Sequence, residues 1–500
     1  MFAAVAMFAA ASCAQELSQD KKLPEGEAVV FEASVDGVDT KITLDKTVSK
    51  WDNGDKITIH NGKSGYDFTT QETGATARFV YNGTDFTGDK FIAVYPAGKY
   101  TADVDAKTVQ AYIPTDQAVV GGTYALQSDM KTDAALAVAY TEDNTLLFRN
   151  ASALLKFTIN CDDVKNVEFY GNSGEAITGN VLVSLNDDAS VKTVDGLDTE
   201  FEGKKQKMTW VNCYPSDGGT NNWRFKKGTY YAVIAPQNFT KGVAMNLILE
   251  DNKKIEPFKK LNTPKDIKPN TILDLGIIEH KTIYLRPGIW TDANAWFFAH
   301  FVDGEYTKDV RMTDSDGDGI LEVAVPFGVK EVIFVRKNPA NTNVDWEGKW
   351  NESAQLALPT GTSVCYSVND WNSMKWETLD EARKSMLYLK PNSNWKQNGA
   401  RFAAYFFKDG AGNSWRTMTD WNKDGIYEVS KPTSNNTKMI FCRMNPNNND
   451  NRWNNDGEGD SKPQWNKTGD LTTPTDGKNL FTLPNNAWDG ATTTWSEKTF

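Results

Sequence analysis

Residues 281–500 carry one domain-length pattern written twice. TIYLRPGIW (282–290) returns as MLYLKPNSNW (386–395), FFAHFVDG (297–304) as FAAYFFKDG (402–410), MTDSDGDGILEV (312–323) as MTDWNKDGIYEV (418–429), and EVIFVRKNP (331–339) as KMIFCRMNP (438–446). WEGKWNES (346–353) is matched by Trp453 and then QWNKT (464–468), LPTGTSVCYSV by TTPTDGKNLFTL, and Trp371 and Trp376 by Trp488 and Trp495. The copies drift apart through small loop insertions in the second. Such a repeat requires two units of the same fold. Each copy is a series of short Val-, Ile-, Phe- and Tyr-rich runs split by Gly, Asn, Asp and Pro, the pattern of an antiparallel β-sandwich. The copies are placed at 281–377 and 386–500, separated by a charged segment, ETLDEARKS (377–385), read as a short helix or linker.

The remainder also reads as strands: EAVVFEASV, DKITIH, DKFIAVYPA, ALLKFTI, GTYYAVIAPQ and AMNLILE, punctuated by turn residues. Only Trp51, Trp210 and Trp223 precede residue 281, while 13 of the 16 tryptophans follow it, which marks a change of domain type. The length of 28–279 suits two sandwiches, divided as 28–147 and 148–279. The expected fold class is therefore all-β, with tandem β-sandwiches throughout.

MFAAVAMFAAAS (1–12) matches the apolar part of a secretory signal and is too short to span a bilayer. It lacks the usual preceding basic residues, which points to a start codon assigned too far downstream. Ala10-Ala11-Ser12-Cys13 resembles a bacterial lipobox, which implies lipidation of Cys13, a signal at 1–13 and a tether at 14–27. The other four cysteines (Cys161, Cys213, Cys365, Cys442) form no CxxC pair and read as buried thiols. Lys plus Arg is 54 against 66 Asp plus Glu, a net charge of −12 that would repel nucleic acid or an anionic membrane, leaving the lipid as the membrane contact. Three histidines, His60, His280 and His300, form no zinc spacing, and no nucleophile elbow, Walker loop or dinucleotide fingerprint occurs. Paired-carboxylate glycosidases need no histidine, but this chain lacks the alternating helices of a barrel enzyme. Binding is expected rather than catalysis.

Two resemblances sharpen this. WDNGDKITI (51–59), FIAVYPA (91–97), FRNASALLKFTI (148–159) and YYAVIAPQNF (230–239) make 28–279 similar to the fimbrillin-like proteins of Bacteroidota, which implies two tandem sandwiches in the cell envelope. In pilus-forming members an arginine-specific protease frees a groove for a donor strand. Here no Arg precedes Arg78, and the C-terminus carries further domains, so shaft polymerisation is not expected. YLKPNSNW, FAAYFF, MTDWNKDGIYEV, the RMNP stretch and WNKTGDLTTPTDG, with their first-copy counterparts, resemble family-26 starch-binding modules. That resemblance implies an α-glucan ligand.

Sugar rings have apolar C–H faces on which an exposed aromatic ring can stack. Strand parity puts Arg401, Ala403, Tyr405 and Phe407 on one face, with Arg401 suggesting that it is the outer one. By the same register Trp296 and His300 face outward in the first copy, opposite Phe297, Ala299 and Phe301. The resembling family uses aromatics on such a strand and a tryptophan in the loop after it, which Tyr405 and Trp415 match. The first copy has Trp296 and His300 but only Tyr306 near the position of Trp415. Trp346 and Trp453 follow Asn-rich loops and are divided evenly between site and packing. Trp371, Trp376, Trp488 and Trp495 are assigned to packing. Asp314, Asp316, Asp318 and Glu322, repeated as Asp420, Asn422, Asp424 and Glu428, follow the first half of a calcium loop, but Asp-Gly between strands is also the commonest hairpin turn. The turn reading is preferred, with calcium as the alternative and no other cofactor.

The expected function is that of a non-catalytic lipoprotein of the bacterial outer membrane or cell surface, holding two glycan-binding modules for a neighbouring uptake system. The alternative is a fimbrial accessory or tip adhesin subunit whose repeats contact a host or pilus partner.

Overall fold

Alternating runs become strands because successive side chains point to opposite faces. In Ala153–Ile159, buried Leu155, Phe157 and Ile159 alternate with half-buried Lys156 and Thr158. The computed structural model describes residues 28–35, 51–120, 127–128, 135–198, 208–216, 224–408, 411–432, 436–456, 459 and 461–500. The signal, the tether and Cys13 lie outside the described residues. The chain is all-β apart from one short α-helix and two 3-10 turns among those residues. It divides into two compact units, Met1–Glu279 and His280–Phe500.

In the first unit seven strands close on themselves in the order Val29–Val35, Thr145–Asn150, Ala137–Thr141, Phe91–Tyr95, Lys56–His60, Gly65–Thr70, Thr76–Tyr81. Closure occurs at Val29–Val35, which pairs antiparallel with Thr76–Tyr81 and parallel with Thr145–Asn150. Trp51 of the WDNGD turn plugs this barrel. Its ring lies 4.9 Å from Phe79 and 5.3 Å from Phe148, and its Nε1 donates to the Ala33 carbonyl at 3.0 Å.

The expected boundary at 147/148 does not separate the remaining sheets. Asp116–Val120 pairs in parallel with Trp210–Ser216, and Thr108–Ile113 pairs with Gly179–Leu185. One continuous apolar cluster runs from Ile92 and Val94 through Val109 and Ile113 to Val181, Val183 and Val233. Early strands complete later sheets, so the unit is not two independent sandwiches in series.

The second unit realises the repeat strand for strand. In the first copy, a sheet of Leu321–Ala324, Thr282–Arg286, Cys365–Asp370 and Ser373–Glu377 accompanies one of Tyr306–Arg311, Trp296–Asp303, Glu331–Lys337 and Lys349–Glu352. The second copy has Tyr427–Ser430, Met386–Lys390 and Leu480–Thr482 with Ala411–Thr417, Arg401–Lys408, Lys438–Met444 and Gln464–Lys467. Phe297, Ala299 and Phe301 face inward onto Ile283 and Leu285, as parity predicts, and Phe402, Ala404 and Phe406 do so onto Leu387 and Leu389.

The segment between the copies is a helix, Leu379–Lys384, started by a capping box between Thr378 and Glu381. It does not space the copies apart. Ala382 is buried with Ile320 and Cys365 of the first copy and Met386 and Tyr388 of the second. Trp421, from the second copy, packs on the first copy's core and lies 6.0 Å from Phe297. At the same boundary Arg286, 1% exposed, donates to Glu377 at 3.1 Å, to Ser367 at 3.1 Å, and to Asn369 and Ser430. Ser430 belongs to the second copy, so this buried guanidinium spans both.

Burial alone would raise the Glu377 carboxyl. Hydrogen bonding by Ser367, the charge of Arg286 and hydrogen bonds from Lys375 and Arg286 outweigh it and hold the group below the ordinary glutamate range. A depressed carboxyl stabilises the fold above its unfolded pKa, and that contribution is lost as pH falls through the folded value. Removing one partner of a buried pair leaves the other charge uncompensated. Arg286→Met is therefore expected to destabilise the second unit by about 3 kcal/mol or more in urea unfolding. Lys478→Met, which breaks an exposed pair with Asp476, should cost less than about 1 kcal/mol.

Candidate functional site

Antiparallel register brings the candidate aromatics of the second repeat together. Tyr405 lies directly opposite Trp415, with ring centroids 4.9 Å apart. Trp453 arrives from the Asn-rich loop and stands 5.0 Å from Tyr405 and 4.7 Å from Trp415. Phe407, two residues along the same face, stacks on Tyr405 at 5.5 Å, and Lys467 sits 5.1 Å above the Trp453 ring. All four rings are half-buried over Ala403, Ile440, Cys442 and Met444. They leave an apolar platform edged by a lysine, faceted rather than flat, since the planes of the Tyr405–Trp415, Tyr405–Trp453 and Trp415–Trp453 pairs are inclined at 52°, 68° and 63°.

Arg401 does not join that platform. Its guanidinium donates to the carbonyls of Asn445, Asn448 and Asp450 and to the Asn451 side chain. All of its donor groups serve the loop that carries Trp453, which makes it a brace for that loop. Trp296 holds the same repeat position and does the same work with different chemistry. Its Nε1 donates to Asn338 at 3.2 Å and Asn341 at 2.8 Å in the loop before Trp346. The expected outward position of Trp296 is corrected on this point, because the loop covers the ring to 6% exposure.

The first repeat builds a polar version of the face. His300 replaces Tyr405, and its cross-strand partner is Asp309 where the second repeat has Trp415. His300 Nδ1 lies 2.6 Å from Asp309, and the imidazole meets the Trp346 ring edge-on at 4.9 Å. Trp346 is exposed, with Lys349 above it at 4.9 Å. Tyr306 pairs with Asp303 at the hairpin end and does not stand opposite His300.

A second aromatic surface occurs in both repeats. Arg336 lies 4.7 Å over Trp350 and 5.9 Å over Trp371, and Arg443 lies 4.5 Å over Trp465 and 5.7 Å over Trp488. Each guanidinium is held by two carbonyls of the preceding turn, Trp290 and Asp292 or Trp395 and Gln397. Trp371 and Trp488 are 49% and 43% exposed, so their assignment to core packing is corrected. Trp376 and Trp495, assigned with them, do pack on the two cores. The signal available in the sequence was the repeated arginine of RKNP and RMNP.

The acidic turn of the first repeat is satisfied by its own chain. Asp314 accepts backbone N–H bonds from Gly317 at 2.8 Å and Gly319 at 2.9 Å, and Arg383 bridges Asp316 and Asp318 at 2.6 Å each. Burial nevertheless pushes the Asp314 and Asp318 carboxyls up to about 6. The four cysteines beyond Cys13 are free and buried, and burial pushes the Cys161 and Cys365 thiols up to about 12. No helix among the described residues is long and apolar enough to cross a membrane.

No family model and no curated protein matches this sequence, so the starch-binding resemblance gains no support there. Among solved structures, the chain is similar to a "putative cell adhesion protein" from Bacteroides ovatus at 13% identity and a TM-score of 0.30, over 50% of this chain and 92% of that one. One of the same description from Bacteroides uniformis is 14% identical, with a TM-score of 0.28, over 57% and 97%. The tip fimbrial protein Mfa3 from Porphyromonas gingivalis is 10% identical, with a TM-score of 0.20, over 46% and 80%. Scores this low assign neither a family nor a ligand.

The bracing role of Arg401 has a direct consequence. Lysine keeps the charge but cannot reproduce the planar fork. Arg401→Lys is expected to raise hydrogen exchange across residues 445–451 by about tenfold or more, with a global stability loss of about 1–2 kcal/mol. Unchanged exchange in that loop would contradict the bracing role.

Proposed function

We propose that this is a non-catalytic adhesive protein of the cell surface, held by lipid at Cys13, whose tandem repeats bind a polysaccharide. The observation that carries the reading is the platform of Tyr405, Trp415 and Trp453, three rings within 5.0 Å of one another on one open sheet face. Such a surface suits the C–H face of a sugar ring, and Lys467 and the neighbouring asparagines can bond its hydroxyls. An α-glucan is the proposed ligand class, from the starch-binding resemblance of the repeats, and a glycan-uptake system is the proposed neighbour. The first repeat, with His300, Asp309 and Trp346, offers a more polar and weaker face. Two weak faces on one rigid unit raise avidity where a single chain reaches both.

A second reading keeps the surface location and changes the ligand. A fimbrial accessory or tip adhesin would use the same repeats against a protein partner, and the similar structures are described as cell adhesion and fimbrial proteins. At their TM-scores that likeness does not decide between the two ligands.

Affinity electrophoresis of the full chain in gels containing starch, glycogen, β-glucan or mannan separates them. Retardation by starch or glycogen is expected, and the Tyr405→Ala/Trp415→Ala variant should weaken it by about tenfold or more, some 1.4 kcal/mol. Retardation by another glycan keeps the class and replaces the α-glucan. Free migration in every gel, together with a laddered polymer in unboiled envelope, would favour the pilus reading. Retention of full affinity in the folded double variant would move the site to Trp371 and Trp488.

A further inference from the structure

The two acidic turns share a sequence pattern and differ in how their charge is met. In the first repeat Arg383 takes Asp316 and Asp318, and the hydroxyl of Ser315 donates to Glu322. In the second repeat Ser315 is replaced by Trp421, which packs on the first repeat's core instead. Glu428, the counterpart of Glu322, is left 1% exposed with no hydrogen-bond partner at either carboxylate oxygen. Asp420 Oδ1 is likewise buried and unpartnered. Burying carboxylates without partners is costly, and folded proteins meet such groups by protonation, a counter-charge or a metal; burial pushes the Glu428 carboxyl up to about 9 until a cation reaches it.

Oxygens of Asp420, Asp424 and Glu428 lie within 4.8 Å of one another. A cation coordinated at 2.3–2.6 Å holds its ligand oxygens at up to about 5 Å separation, so one ion can touch all three. The protein's own positive charges there are Lys396, whose Nζ lies 2.8 Å from where a Gly425 Cβ would sit, and Lys498. The Lys498 Nζ is 3.8 Å from Asp424 and donates to the Gly317 carbonyl. Neither ammonium bonds Glu428, and Asp314 of the first repeat adds further negative charge against it. Gly319 keeps the opposite wall close, since a Cβ there would sit 2.7 Å from Glu428 Cβ. Its φ of +74° also favours glycine.

We infer that Asp420, Asp424 and Glu428 form a calcium site at the boundary between the two repeats. Calcium accepts an irregular all-oxygen cage, whereas magnesium demands near-octahedral geometry and keeps its water. The ion supplies to the second turn the positive charge that Arg383 supplies to the first.

Terbium luminescence on the chelator-treated full chain tests this, with excitation of nearby Tyr427 and Trp421. Saturable emission that calcium displaces and magnesium displaces poorly is expected, together with a calcium-dependent rise in the thermal midpoint. Glu428→Gln should weaken terbium binding by roughly tenfold or more, as should Asp424→Asn, an exposed position at which folding is not at risk. Glu322→Gln in the first repeat should leave binding unchanged. Absence of saturable emission, or emission that survives Asp424→Asn intact, overturns the site.

Discussion

The arrangement of the second unit depends on a buried charge that one repeat cannot satisfy alone. Arg286 sits in the first strand of the first copy, yet one of its hydrogen bonds goes to Ser430 of the second copy. A guanidinium at 1% exposure tolerates few other geometries, because any donor left unmet carries a desolvation cost. Apolar packing of Trp421 and Ala382 brings the repeats together, but hydrophobic contact is non-directional. The Arg286 cluster adds a directional hydrogen bond across that contact.

Duplication followed by divergence explains why equivalent positions carry unlike residues. Arg401 and Trp296 both hold an Asn-rich loop, one with a five-donor fork and one with a single indole N–H. The loop needs donors aimed at its carbonyls, and either side chain provides them. Ser315 and Trp421 show the opposite case. There the exchange gives the second copy an anchor in the first copy's core and leaves Glu428 without a donor.

Much of the repeat fold was legible in the sequence, because parity depends only on neighbouring residues. Phe297, Ala299 and Phe301 face inward as alternation requires, whereas Trp415, which the resemblance implies in the loop after the strand, lies on the next strand, Ala411–Thr417, directly opposite Tyr405. Contacts between residues far apart in the chain were not legible. The parallel pairing of Asp116–Val120 with Trp210–Ser216 joins segments almost a hundred residues apart, and no local pattern announces it. The place of Trp371 and Trp488 near the module ends reads as packing, but they stand 49% and 43% exposed beside Arg336 and Arg443 of other strands. Trp296 had the expected face and the wrong exposure, since a loop closes over it.

On the proposed polysaccharide reading, a packed boundary between the repeats changes what two weak faces can achieve. With a flexible linker, the second binding event occurs at an effective concentration set by linker length, and many ligand geometries are served. Here the linker helix is part of a shared apolar cluster, and Arg286 and Trp421 cross the boundary. The distance and angle between the Tyr405 face and the His300 face are then properties of the fold. A glycan whose natural curvature matches that geometry gains the full second contact at little entropic cost. One that does not match gains nothing from the second face, however well it fits the first. On the same proposed reading, selectivity among polysaccharides therefore arises from the boundary between repeats as much as from the rings proposed to touch the sugar.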